Sequence, residues 1–164
     1  MGSWAQVQAA APDLAGAVAA RFDRYGLAIM ATLRPNGWPR LSGIEPVFRA
    51  GELWLGMMTG SHKAADLFRD GRVALHAATT DKNVADGDAK LTGTVRPATA
   101  DQRAAYLLAM AAAVPQTSDA PEHPEEFELF LVDVTELSML LVAGDHLVIE
   151  SWAEGRGVRS VDRY

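Results

Sequence analysis

Apolar positions recur at two different periods along this chain, and each change of period marks an element boundary. Residues 12–25 carry Leu14, Val18 and Phe22 at fourfold spacing, with Pro12 and Asp13 at the start and Gly26 just past the end, which predicts an amphipathic helix. Residues 27–33 are a short apolar run, and Arg34-Pro35-Asn36-Gly37 supplies hairpin-turn chemistry. The return strand is expected to start near Arg40 and to bend or end by Glu45, because Pro39 and Pro46 cannot donate ladder hydrogen bonds. After the turn Arg49-Ala50-Gly51, residues 52–58 are dense in bulky apolar side chains, with Leu53, Trp54 and Leu55 consecutive, as in a strand covered on both faces. The run stops at Thr59-Gly60-Ser61. There the period becomes helical: Ala64, Leu67 and Phe68 share a face, Ser61 stands where an N-cap belongs, and Lys63 falls in the first turn.

Further along, residues 72–78 predict a strand, residues 79–87 a polar loop, and residues 88–96 a strand in which Gly93 marks a bulge or a close approach. Asp101 is expected to cap a helix that continues to about Val114. Residues 115–126 hold three prolines and four acidic residues without periodicity, which predicts an exposed loop and leaves open whether it serves as a lid. Residues 127–134 and 138–142 are strand-like, Ala143-Gly144-Asp145 is a hairpin turn, and residues 146–152 return. The tail, residues 153–164, carries Arg156, Arg159 and Arg163 and no apolar pattern. Six or seven strands joined by hairpins, with three helical segments, fit a mainly β fold: a small antiparallel barrel with helices packed outside it. No repeat or linker divides the chain, so one domain over residues 1–164 is expected.

Composition narrows the function. Hydrophobic residues make up 49% and charged residues 22%, as in an ordinary globular protein. A formal charge of −6 with scattered Lys and Arg argues against broad nucleic-acid binding, which needs clustered cations. The chain has no cysteine, so disulfides, thiolate catalysis and Cys-based metal sites are excluded. Residues 1–20 have no basic residue ahead of their alanine-rich run, and Pro12 and Asp13 interrupt it; neither a signal peptide nor a membrane span is expected, and the expected location is the cytoplasm.

The start of the helix after Ser61 offers free backbone N–H groups and the positive end of the helix dipole, to which Ser61 adds a hydroxyl and Lys63 an ammonium. That set suits a phosphate; the same residues also describe an ordinary solvated helix end. Of the four histidines, His62, His76, His123 and His146, no two have the spacing of a helical metal pair and none lies in a hydrolase motif, so no metal site and no catalytic residue is assigned. His76 reads as a core residue and His146 as a turn-edge residue.

Residues 51–75, with strand, Ser-His-Lys, Leu-x-x-Asp and Arg-Val in succession, resemble the FMN-binding split-barrel proteins, the pyridoxamine 5'-phosphate oxidase-like family. Residues 30–47, with Gly37, Pro39 and Ser42 in the pattern Gly-x-Pro-x-x-Ser, resemble that family's opening hairpin. The resemblance implies a six- to seven-stranded antiparallel Greek-key split barrel, FMN as cofactor, and a homodimer with the cofactor at the subunit interface. By position it implies cofactor contacts from Arg40, Leu41 and Ser42 on one strand, Met57 and Met58 at the end of another, Thr59, Ser61, His62 and Lys63 at the phosphate, and Lys90 near the ring. Met57 and Met58 also read as core filler, and Lys90 as a solvent-facing strand residue. His62 stands where the family commonly has Arg. Trp152 and the Arg-containing tail become candidates for the partner subunit's contribution. The family's C-terminal Arg-Leu-His substrate motif is absent, which argues against pyridoxamine-phosphate oxidase proper. The implied activity is hydride or electron transfer to a small molecule. The deazaflavin coenzyme F-420 is the alternative cofactor, and a non-enzymatic flavin or haem binding protein is the rival class.

Overall fold

In the computed structural model, residues 2–79, 81–113 and 127–164 are described. The elements in chain order are α1 (Trp4–Ala10), α2 (Pro12–Asp23), β1 (Ala28–Leu33), β2 (Pro39–Ile44), β3 (Pro46–Arg49), β4 (Glu52–Met58), α3 (His62–Arg69), β5 (Arg72–Ala77), β6 (Asp88–Pro97), α4 (Ala100–Ala113), β7 (Phe127–Ala143), β8 (His146–Ala153) and β9 (Gly157–Arg163). The strands form one antiparallel sheet with the path β2-β1-β5-β6-β7-β4-β3, and β8 and then β9 extend it from β7. The two ends of the path, β2 and β3, are consecutive in the chain and separated only by Glu45, yet among the described residues they share no ladder. Side chains from both ends of the path, such as Ile44 on β2 and Leu53 and Leu55 on β4, meet Met30, Leu75, Leu91 and Phe130 in one core. A curled sheet that remains open between β2 and β3 is a split barrel.

The hydrophobic pattern explains most of this. On α2, Leu14, Val18 and Phe22 are fully buried, as their spacing requires, and β5 buries Val73, Leu75 and Ala77 while its alternate residues face outward. Each of the larger side chains, such as Leu14, Phe22 and Leu75, contributes about 1.5–3 kcal/mol through burial. The Pro46 break behaves as expected, with β2 ending at Ile44 and β3 beginning after Glu45.

Four expectations are corrected. The strands number nine among the described residues, because residues 46–49 pair separately with β4 and because the tail, which lacks an apolar pattern, forms β9. β9 pairs only with β8 and both its faces are exposed, so it needs no alternation. Residues 127–143 are one continuous strand, since β7 passes from β4 at its start to β8 at its end, with β6 alongside between them. A fourth helix, α1, packs Trp4 and Val7 into the core and is closed by a Ser3–Gln6 capping box. The cap of α4 is Thr99, whose hydroxyl accepts from the Gln102 N–H at 3.3 Å while the Gln102 side chain accepts from the Thr99 N–H at 3.0 Å; Asp101 lies in the first turn instead. The loop read at residues 115–126 lies outside the described residues.

Candidate functional site

The junction between β4 and α3 is built by local rules. Gly60 adopts φ +73°, which lets the chain leave β4 sharply, and the Ser61 N–H donates to the Met58 carbonyl at 3.2 Å. The Ser61 hydroxyl then accepts from the Ala64 N–H at 3.3 Å, the N-cap expected of it. Ala64 and Leu67 anchor the helix in the core. A second anchor is polar. The buried Asp66 carboxylate accepts from Thr32 Oγ1 at 2.9 Å, from Arg40 Nε at 2.6 Å and from both terminal nitrogens of Arg69 at 3.2 and 3.3 Å. Thr32 and Arg40 face one another across β1 and β2, so one carboxylate ties both strands to α3. Burial pushes the Asp66 carboxyl up, but hydrogen bonds from Arg40, Thr32 and Arg69 outweigh it and hold the group below its ordinary value.

From this fixed helix start Lys63 reaches across the split and donates from Nζ to the Gly43 carbonyl at 2.8 Å. It lines a groove of about 590 Å³ whose walls also include Glu45, Met57, Met58, Tyr106, Met110 and Phe127. Tyr106 packs between Trp54, 5.2 Å away, and Phe127, 6.4 Å away. Burial raises the Tyr106 phenol above its ordinary value, with Arg49 opposing and Glu45 adding. A cation and a capped helix start beside a largely apolar groove, which also carries the Glu45 carboxylate, fit an apolar ligand that bears an anionic group.

The structure brings some of the sequence candidates together and separates others. Met57, Met58 and Lys63 line the groove, and Thr59, Ser61 and His62 form the turn beside it. Arg40 is committed to Asp66, and Ser42 lies on the inward-facing side of β2 opposite Met30, whereas Leu41 is exposed on the outer side. Lys90 is elsewhere: its ammonium pairs with Asp88, which also accepts from His76 Nε2 at 2.9 Å. Gly43, Ile29, His76 and Lys90 stand opposite one another on successive strands, so Lys90 lies three strands, or roughly 14 Å, from Gly43. His76 is therefore an outward-facing residue of β5 rather than a core one. Sequence reasoning named only Met57, Met58 and Lys63 of the groove lining; it missed the β2–β4 residues Gly43, Ile44, Glu45, Val47 and Gly56, Leu27 before β1, and Tyr106, Met110 and Phe127. Tyr106, the one aromatic in residues 100–113, was the available signal. Among the described residues no three His, Asp or Glu side chains gather as a metal site, and no helix is long and apolar enough to cross a membrane.

The open, curled sheet is that of the split-barrel class. The chain belongs to the pyridoxamine 5'-phosphate oxidase family, whose model matches residues 14–141. Among solved structures, PhzG from Burkholderia lata 383, determined with tetrahydrophenazine-1-carboxylic acid, is 13% identical with a TM-score of 0.65, and the alignment covers 96% of this chain and 91% of that one. A pyridoxamine 5'-phosphate oxidase-related, FMN-binding protein from Nostoc punctiforme PCC 73102 is 14% identical with a TM-score of 0.64, over 94% of this chain and 96% of that one. An F-420 reductase is 18% identical with a TM-score of 0.52, over 68% of this chain and 88% of that one. At these identities the likeness is one of fold. No curated protein matches the chain by sequence.

Proposed function

We propose that this protein is a flavin-dependent oxidoreductase that holds FMN in the groove beside α3 and works as a homodimer. The observation that carries the reading is the position of Lys63, fixed by its bond to Gly43 at the start of a capped helix and facing an apolar groove. Lys63 and the free N–H groups of the first turn of α3 would hold the phosphate, with Thr59 and His62 beside it. Met57, Met58, Tyr106 and Phe127 would exclude water from the flat part of the ligand. Bound there, the flavin supplies the hydride or electron transfer, and the chain supplies position and access. The homodimer is supported by exposed apolar residues on the outer face of β1 and β2, Ile29 and Leu41, which a second subunit would cover.

The likeness to an F-420 reductase supports a second cofactor, the deazaflavin coenzyme F-420, at the same anchor. Steady-state turnover decides the activity: the protein loaded with each cofactor in reduced form is mixed with a panel of acceptors. Turnover with one cofactor is expected; tight binding of either without turnover of any acceptor would make the protein a carrier instead.

A further inference from the structure

The outer face of the sheet beside α4 carries a row of charges that the groove does not use. Arg49 on β3 stands opposite Glu52 on β4, and Asp133 on β7 stands opposite Thr94 on β6. Trp54 of β4 pairs with Leu131 of β7, so the same register two residues on sets Glu52 opposite Asp133. Residues directly opposed on antiparallel strands have Cβ atoms about 4.5–5.5 Å apart, and like charges so placed destabilise the pair. Two carboxylates therefore meet here. They lie along the flank of α4, since Trp54 and Leu131, on the same face, pack in one cluster with Tyr106.

The cations around the pair are engaged elsewhere. Among the described residues the Glu52 Oε2 atom is buried without a hydrogen-bond partner. Arg96 of β6 brings Nε to 3.7 Å from Asp133 Oδ2, too far for a hydrogen bond, and donates from Nη1 to Gln102 Oε1 of α4 at 3.3 Å. Arg49 acts on Asp23 of α2 and on Tyr106 of α4. The helix α1, whose Ala5 N–H donates to the Gly51 carbonyl at 2.8 Å, brings no charged residue. Burial raises the Glu52 carboxyl above its ordinary value, with Arg96 opposing and Asp133 adding. A proton on Glu52 resolves the conflict: a neutral carboxyl is a donor, and Asp133 beside it is an acceptor. Arg96 is then drawn by one carboxylate instead of two and is left to Gln102, whose side chain closes the start of α4 by accepting from the Thr99 N–H at 3.0 Å.

We propose that Glu52 and Asp133 act as a proton-sharing pair that tightens the docking of α4 in mild acid. The helix carries Tyr106 and Met110 into the groove, so the pair makes that wall sensitive to pH. The device stands on α4 and its flank, whatever the groove binds. Its sign follows from the raised carboxyl: the cost of the charged pair is present in full above the folded value and is relieved as pH falls through it towards the ordinary 4.5.

Carboxyl NMR of the full chain, titrated through the acid range, tests the pairing, and hydrogen exchange of the α4 amides tests its effect. Glu52 is expected to titrate above 4.5, with Asp133→Asn lowering its midpoint and Arg96→Gln raising it. Glu52→Gln keeps the shape of the protonated carboxyl and its ability to donate. It should raise the urea midpoint at neutral pH and lose that advantage below 4.5. At neutral pH it should also slow exchange of the α4 amides by about threefold or more. Asp66 titrates below its ordinary 3.8, so its own acid limb falls in a lower window and does not mask that of Glu52. A Glu52 midpoint at or below 4.5, a midpoint unmoved by Asp133→Asn, or unchanged α4 exchange in Glu52→Gln would each overturn the proposal. Should Asp133→Asn fail to fold by circular dichroism, the native titration and the Glu52→Gln exchange decide alone.

Discussion

Removing the Asp66 carboxylate should cost more stability than removing any other single charge described above. The side chain is 2% exposed and its partner Arg40 only 21%, so Asp66→Ala strands a largely buried guanidinium and the Thr32 hydroxyl at once. Breaking a buried ion pair by deleting one partner costs about 3–5 kcal/mol. Arg69, at 38% exposure, adds little to that because solvent screens it. With a urea m-value of about 2 kcal/mol per molar, the unfolding midpoint should fall by roughly 2 M. Asp66→Asn keeps the shape but not the charge, and should lose less. A double-mutant cycle with Arg40→Met should return a coupling of about 1–3 kcal/mol. The pH dependence follows from the lowered carboxyl: the stabilisation is complete above the ordinary value of 3.8 and is lost as pH falls through the lower folded value. The Asn variant should therefore show a flatter acid limb. A loss below about 1 kcal/mol for Asp66→Ala, with no coupling to Arg40, would refute this account of how α3 is held.

Other consequences are checked by the same kind of measurement. Gly93 sits at the β6 bulge where an added Cβ would come 2.4 Å from the Asp133 carbonyl oxygen, so Gly93→Ala should cost about 1–3 kcal/mol in thermal or urea unfolding, and an unchanged midpoint would contradict the packing. Trp4 is buried and its ring lies 4.6 Å from that of Phe48, so Trp4→Ala should cost about 3–5 kcal/mol if α1 belongs to the core, and under 1 kcal/mol if it does not. The Tyr106 phenol should titrate above 10.0 in a difference absorbance experiment against Tyr106→Phe, and a midpoint at or below that value would contradict its burial.

The elements with strong periodicity were legible before any coordinates. The α2 stripe, the β4 run, the Ser61 cap and the Pro46 break all follow from local chemistry and appear where the residues put them. Alanine hid α1, because only Trp4 and Val7 face the core and no stripe stands out, although the Ser3–Gln6 spacing of a capping box was there to be found. The strand β9 was hidden because its pairing is purely edge-on: a strand exposed on both faces has no reason to alternate. The break read at residues 135–137 falls where β7 changes neighbours from β4 to β8, which no local pattern records. For the site, the cation and the cap were legible, since they are adjacent in sequence. The groove walls were not, because α4 and the start of β7 arrive from 40 to 70 residues away by tertiary packing. Arg40 shows the opposite limit: a cation on a cofactor-facing strand by resemblance is here bound to a carboxylate that sequence alone did not pair with it.

The central claim, that the start of α3 anchors a phosphate-bearing flavin, is tested most directly by titrating cofactor-free protein with FMN, and separately with the deazaflavin coenzyme, with Lys63→Ala alongside. Saturable quenching of flavin fluorescence by the native chain, weakened at least about tenfold in Lys63→Ala, is the result the account predicts. Preference for the deazaflavin would keep the anchor and change the cofactor. Equal binding by the native chain and the variant, or no binding of either cofactor, would contradict it.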